Sequence, residues 1–272
     1  MITLSPKHIF KVPVEAECIS PDVFAEKSTK EIAMLQIWEG NRKRTIGDFF
    51  KIKHGTDSSS EEITIRISGD VGKVRRIGAG MSIGEIIIDG DIGMHLGEEM
   101  EGGIITVAGN AGSWVGSMMK NGTIEVKGNA GDYVGAAYRG STRGMGGGTV
   151  IVHGNAGNEV GCFMRGGLIK VYGSVGEVVG IHMRKGTIFV QGNSEGRAGA
   201  EMTGGKIVVC GWVPSIVPTF TIDSIRPKVK INEETITGPF YMFFGDLAED
   251  GNGRLYVSQT QNPHLAFYEK YL

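Results

Sequence analysis

Six histidines (His8, His54, His95, His153, His182, His264), three cysteines (Cys18, Cys162, Cys210) and a carboxylate cluster (Glu98, Glu99, Glu101) are the side chains from which this sequence could assemble metal, nucleophilic or acid–base chemistry. A zinc or other transition-metal site needs several such ligands converging on one point, which shows in sequence as short paired spacings. Here His153 and Cys162 stand nine residues apart with no further ligand beside them. The cysteines share no ligand spacing and, being three, cannot all pair; they read as reduced thiols of a cytoplasmic protein. The three glutamates flank Met100 as a solvated corner would. The runs Gly144–Gly148 and Gly78–Gly80 lack the strand–turn–helix frame of a dinucleotide loop, and no phosphate loop ending in Gly-Lys-Ser/Thr is present. The expectation is a chain with no catalytic, cofactor-binding or metal-ligating residue of its own. A formal net charge of −2 gives no global attraction to nucleic acid or anionic membrane, and no apolar run is long enough to span a bilayer.

A repeat positions all of these residues. Gly69, Gly90, Gly109, Gly128, Gly154, Gly173 and Gly192 open segments of one shared pattern, closed by Gly211, at steps of 21, 19, 19, 26, 19, 19 and 19 residues. A unit this short cannot bury an apolar face alone, so the units must stack. Reading down the stack gives ladders. One is Met81, Met100, Met119, Tyr138, Met164, Met183 and Met202; another is Ile86, Ile105, Ile124, Val150, Ile169, Ile188 and Ile207. A third, two residues on, runs from Ile88 to Val209, and between the last two lies a mixed position: Ile87, Thr106, Glu125, Ile151, Lys170, Phe189, Val208. Apolar, variable, apolar is strand alternation with one face inward, and the glycines supply the corners. Asp70, Asp91, Asn110, Asn129, Asn155 and Asn193, interrupted by Ser174, form a turn ladder.

The pattern predicts an all-β chain: a right-handed parallel β-helix of about seven coils over residues 62–211. Residues 1–61 form an N-terminal cap of short helix plus hairpin, and residues 212–272 a C-terminal cap and docking tail. A left-handed hexapeptide helix would spread its aliphatics over three faces, whereas here they cluster in one strand. In the first cap, Ser28 and Glu31 spell a capping box, and Leu35–Trp38, Gly40-Asn41 and Thr45–Ile52 spell a hairpin. In the second, Gly251–Gly253 ahead of Arg254–Ser258 suggests another hairpin. The 26-residue segment carries seven extra residues within Tyr138–Gly148, which must bulge outward. That loop is either a tolerated surface insertion or a contact element. The predicted partner contacts are Trp114, Tyr138, Arg139, Arg143 and Met145 around the loop, with Phe267, Tyr268 and Tyr271 in the aromatic tail. A self-sufficient polysaccharide-acting β-helix enzyme would instead need acidic residues stacked at the mixed outward position and a signal peptide, and both are missing.

The Gly-x-x-Gly-x-x-x-Gly repeat, seen around Gly131–Gly135 and Gly157–Gly161, resembles the β-helical C-terminal domain of glutamate synthase. Over almost the whole chain the sequence more closely resembles the C subunit of formylmethanofuran dehydrogenase. That resemblance is carried by Pro21–Ala25, Gly47–Phe50, Gly109–Trp114, Gly131–Gly135, Tyr138–Gly140, Arg143–Met145, Gly154–Asn158 and Gly180–Met183; Glu195-Gly196 departs, where the glycine ladder slips by one. The resemblance implies a non-catalytic scaffold subunit in a cytoplasmic archaeal complex that reduces CO2 and fixes the formate as an N-formyl group on methanofuran. It implies cofactors on other subunits: molybdenum or tungsten on pyranopterin, iron–sulfur clusters and binuclear zinc. The implied partners are a metal–pterin catalytic subunit, a zinc amidohydrolase-like subunit, a pterin-binding small subunit and ferredoxin-like subunits. A related C subunit serves a bacterial formyltransferase/hydrolase complex without a working metal–pterin centre; the N-terminal motifs lean toward the archaeal form.

Overall fold

Each repeat contributes one short strand to the same long sheet. In the computed structural model, which describes residues 1–55 and 63–272, eight strands follow one another in parallel: Thr64–Ile67, Glu85–Ile88, Ile104–Val107, Thr123–Val126, Thr149–Val152, Arg165–Val171, Lys185–Val190 and Lys206–Val209. The expected domain boundary at 61/62 lies outside the described residues. Register locks like to like, with Ile86 opposite Ile105, Ile105 opposite Ile124, and Ile169 opposite Ile188. These inward residues are fully buried. A second parallel column runs through single bridges from Val71 through Ile92 and Ala111 to Ala130, then from Ala156 to Val175 and on to strand Ser194–Gly196.

Two side-chain ladders stitch the turns. The backbone N–H of Asn110 donates to Asp91 Oδ1 (2.7 Å), that of Asn129 to Asn110 Oδ1 (2.9 Å), and that of Asn155 to Asn129 Oδ1 (2.8 Å). Ser174 keeps the pattern with its hydroxyl, accepting from the N–H of Asn193 at 3.0 Å. Asp70 stands outside the ladder and accepts from Gly72 in its own turn. The second ladder, Ser113, Asp132, Asn158 and Glu177, works in the same way.

The methionine ladder needs one correction. Its fourth rung is Met145, which is fully buried, and not Tyr138, which is exposed. In an ordinary coil the N–H of Met119 bonds back to Gly116 O; in the long coil the N–H of Met145 bonds back to Gly135 O. The seven extra residues, Tyr138–Gly144, are therefore looped out between two otherwise regular positions.

The chain is mostly β rather than all-β, because the first cover carries short helices at Pro21–Phe24, Thr29–Met34 and Ile46–Phe49. Ser28 and Glu31 form the expected capping box. The hairpin pairs Gln36–Glu39 with Arg42–Thr45 and then breaks into the helical turn Ile46–Phe49, where a continuous strand to Ile52 was expected. Strand Ile2–Pro6 pairs with Thr64–Ile67, so this cover continues the sheet. At the other end Gly253–Ser258 adds to Lys206–Val209 in parallel, while hairpin Thr221–Ile231/Glu234–Gly245 folds back over the outer face. There Val229, Ile231, Phe240 and Met242 pack on Leu168, Phe189, Val208 and Tyr256. This is why the mixed outward position turns apolar in the last coils.

The corners tolerate nothing larger than glycine where coils touch. Gly122 has φ +91°, and a Cβ there would lie 2.8 Å from Gly103 O and 2.8 Å from Met100 Cε. Gly122→Ala should lower stability by roughly 2–4 kcal/mol, read as a fall in the urea midpoint at constant slope.

Candidate functional site

Two corners of the repeat are left-handed at non-glycine residues: one runs through Glu99, Met118, Phe163, His182 and Glu201, and the other lies under the inserted loop. Arg76, His95, Trp114, Tyr133, Glu159, Val178 and Arg197 occupy the same place in successive coils, all with φ between +50° and +65°. Such backbone costs an L-residue roughly 1–2 kcal/mol. A hydrogen bond between coils offsets it at each step: the N–H of His95 donates to Ser113 O at 2.9 Å, Trp114 to Asp132 O at 2.9 Å, and Tyr133 to Asn158 O at 2.8 Å. Because backbone geometry repeats, the side chains leave in parallel. His95 and Trp114 stack with centroids 5.1 Å apart at 2°, and Trp114 and Tyr133 at 4.5 Å and 13°. Arg76 continues the column, 3.1 Å from Glu98 and 3.3 Å from Glu17. Glu98 Oε1 lies 3.6 Å from His95 Nδ1. The facing His95 ring, and then Arg76, hold the buried Glu98 carboxyl below the usual carboxylate range, although burial pushes the other way.

The inserted loop roofs this column. It is tied by Ser141 N–H to Tyr138 O (2.9 Å), by Arg165 to Thr142 O (3.0 Å) and by Gly144 N–H to Phe163 O (3.0 Å). The Tyr138 ring stands edge-on to His95 at 5.4 Å and to Trp114 at 6.0 Å, with the Arg139 guanidinium 6.0 Å over Trp114. Beneath lies a depression of about 180 Å³ whose walls include Trp114, Tyr133, Glu159 and Phe163. Trp114 is 8% exposed, and its Nε1 has no hydrogen-bond partner. Arg139 and Arg143 are exposed and unpaired with any carboxylate among the described residues.

The structure thus brings Trp114, Tyr138 and Arg139 together and leaves Arg143 on the loop's outer side. Two of the expected contact residues lie buried: Met145 is a core rung, and Trp114 lies beneath Tyr138 and Arg139. The tail forms a 3₁₀ helix, Pro263–Tyr271, that packs through Leu265 and half-buried Tyr268 (5.0 Å from the Phe243 ring); Phe267 and Tyr271 remain 55% and 65% exposed. The aromatic column went unforeseen, although His95, Trp114 and Tyr133 are spaced 19 residues apart.

No three His, Cys, Asp or Glu side chains converge among the described residues. Burial pushes the Cys162 thiol up to about 12 and Cys18 and Cys210 to about 11, which leaves little thiolate. A Gly-x-Ser-x-Gly string lies at Gly192–Gly196, where Ser194 is fully buried in a paired strand and offers no accessible hydroxyl.

No protein-family model matches the chain. The C subunit of the tungsten-containing formylmethanofuran dehydrogenase 2 of Methanothermobacter thermautotrophicus is 58% identical to it over 265 residues, 97% of this chain and 98% of that one. The chain belongs to the family of formylmethanofuran dehydrogenase C subunits. The C subunit of the molybdenum-containing formylmethanofuran dehydrogenase 1 of Methanothermobacter marburgensis is 49% identical over 94 residues, a match that spans 35% of this chain and only 23% of that relative's length. A chain of the formyltransferase/hydrolase complex (FhcABCD) from Methylorubrum extorquens, solved with methylofuran, superposes with a TM-score of 0.84 at 29% identity, over 94% of this chain and 99% of that one.

The split between support and surface in this family member is measurable. Met145→Ala should cost about 2–5 kcal/mol and Trp114→Ala about 3 kcal/mol in denaturant unfolding, while Arg143→Ala should stay within about 0.5 kcal/mol of the parent.

Proposed function

We propose that this chain is the scaffold, or C, subunit of a formylmethanofuran dehydrogenase complex that reduces CO2 and delivers the formyl group to methanofuran. Its identity of 58% over 97% of the chain to a tungsten-type C subunit carries the reading. The stacked repeat is read as a right-handed parallel β-helix, closed by covers at residues 1–61 and 212–272. A rigid stack of this kind gives partners a preformed surface with little ordering cost, and an obligate interface on it would bury on the order of 2,000 Å² or more. The metal–pterin centre, iron–sulfur clusters and binuclear zinc then belong to the other subunits of a cytoplasmic assembly: a metal–pterin subunit, a zinc amidohydrolase-like subunit, a small pterin-binding subunit and ferredoxin-like subunits. Tyr138, Arg139 and Arg143 on the loop, with Phe267 and Tyr271 on the tail, form the partner contacts; Tyr268 fixes the tail from beneath.

A second reading, a formyltransferase/hydrolase complex without pterin metal, draws on the TM-score of 0.84 to a chain of such an assembly. Purification of the tagged chain from its own cells, with metal analysis, separates the two. Recovery of a pterin subunit with molybdenum or tungsten is expected, whereas zinc without pterin metal favours the second reading and a solitary chain removes both.

Deleting Tyr138–Gly144 joins Ala137 to Met145 and restores the three-residue Gly-to-Met spacing of the neighbouring coil, Gly116 to Met119. The variant should fold with near-parental stability yet lose co-purification of a catalytic subunit; unchanged assembly and activity would remove the loop from the interface.

A further inference from the structure

At the C-terminal end, Lys206 and Arg254 are register partners on neighbouring parallel strands. Like charges directly opposite one another destabilise a sheet. Neither has a carboxylate within ion-pair distance among the described residues, and Lys206 Nζ instead donates to Lys230 O on the overlying hairpin at 2.8 Å. Burial, and then Arg254, lower the Lys206 pKa, so its charge is held at a cost. Across the groove between hairpin and sheet stand Arg226, Lys228 and Lys230, all exposed. The groove, about 500 Å³, collects five cations against one carboxylate, Asp223, which lies 3.6 Å from Arg226. Its floor is apolar: Val229, Met242 and Tyr256 are 4%, 6% and 9% exposed.

Lysines on an edge strand commonly guard against edge-to-edge pairing. That accounts for Lys228 and Lys230, which sit on the outermost strand, but not for Lys206 and Arg254, which sit on interior strands. We infer that this groove is a docking site for an acidic segment of a partner polypeptide, its carboxylates between the two rows of cations and its apolar side chains on the floor. A long polyanion such as nucleic acid is the poorer occupant. The whole chain has a formal net charge of −2, so no field guides a polyanion beyond the roughly 8 Å screening length, while a short carboxylate run meets only the groove. The inference rests on the proposed scaffold role only in requiring a protein partner, and it adds a contact whose lining residues are distinct from those around the inserted loop.

The test uses the native complex and the free full-length chain. Lysine acetylation at Lys228 and Lys230, followed by mass spectrometry, should be roughly tenfold slower in the complex at low salt, with the protection shrinking as salt rises. A carbodiimide, which joins amines to carboxylates with no spacer, should link these lysines to Asp or Glu of another subunit. The pair Arg226→Glu and Lys228→Glu, both on the exposed hairpin strand, should weaken retention of that subunit by a similar factor without shifting the unfolding midpoint. Equal acetylation in free chain and intact complex would overturn the inference while leaving the scaffold assignment standing. Protection that disappears on nuclease treatment would overturn it in favour of nucleic acid. Failure to recover any partner would overturn both.

Discussion

Apart from tight turns such as Met119 N–H to Gly116 O, the backbone groups of the repeat find their hydrogen-bond partners one coil away. Isolated coils could not satisfy these groups, so the architecture exists only as a stack, and each rung must match the one beneath it. This single constraint accounts for the like-to-like ladders. Isoleucine sits on isoleucine and methionine on methionine because a size change at one level would open a gap or a clash at the next. It also explains the glycines, which stand where one coil's backbone runs against another's.

The covers obey the same rule. Strand Ile2–Pro6 and strand Gly253–Ser258 each add a parallel rung to an end of the sheet. Beyond them, antiparallel partners Phe50–His54 and Glu234–Gly245 end the parallel series. The ends are thereby converted from parallel templates, which would accept another copy of the repeat, into antiparallel edges of different register. The loop at Tyr138–Gly144 shows what the constraint permits: an insertion survives if both of its ends rejoin the ladder, as Ala137 and Met145 do.

Much of this was legible in the sequence, because a 19-residue period writes its contacts into the chain directly. The Ile and Val ladders, the Asn turn ladder, the capping box at Ser28 and the insertion all appear where periodicity and turn chemistry put them. The errors came where the period breaks. Counting ten residues from each opening glycine puts Tyr138 in the core and Met145 outside; only the backbone bond from Met145 to Gly135 shows that the extra residues precede the methionine. The hairpin lying over Leu168, Phe189 and Val208 joins segments distant in sequence and carries no repeat signal of its own. The stacked His95, Trp114 and Tyr133 had a visible 19-residue spacing, but three different residue types do not announce a shared corner until their common left-handed backbone is seen.

The asparagine ladder has a sense as well as a period. Along it each side-chain oxygen accepts from the next coil, and the amides of Asn110 and Asn129 each donate back toward the coil before, at 3.1 and 3.2 Å. Their dipoles therefore point the same way and reinforce one another. The column's donor-facing end stops at Asp91, a full negative charge where another amide would have carried only a partial one. The ladder thus has distinguishable ends, a carboxylate at Asp91 and an amide at Asn193, and a partner lying along it meets a direction as well as a shape.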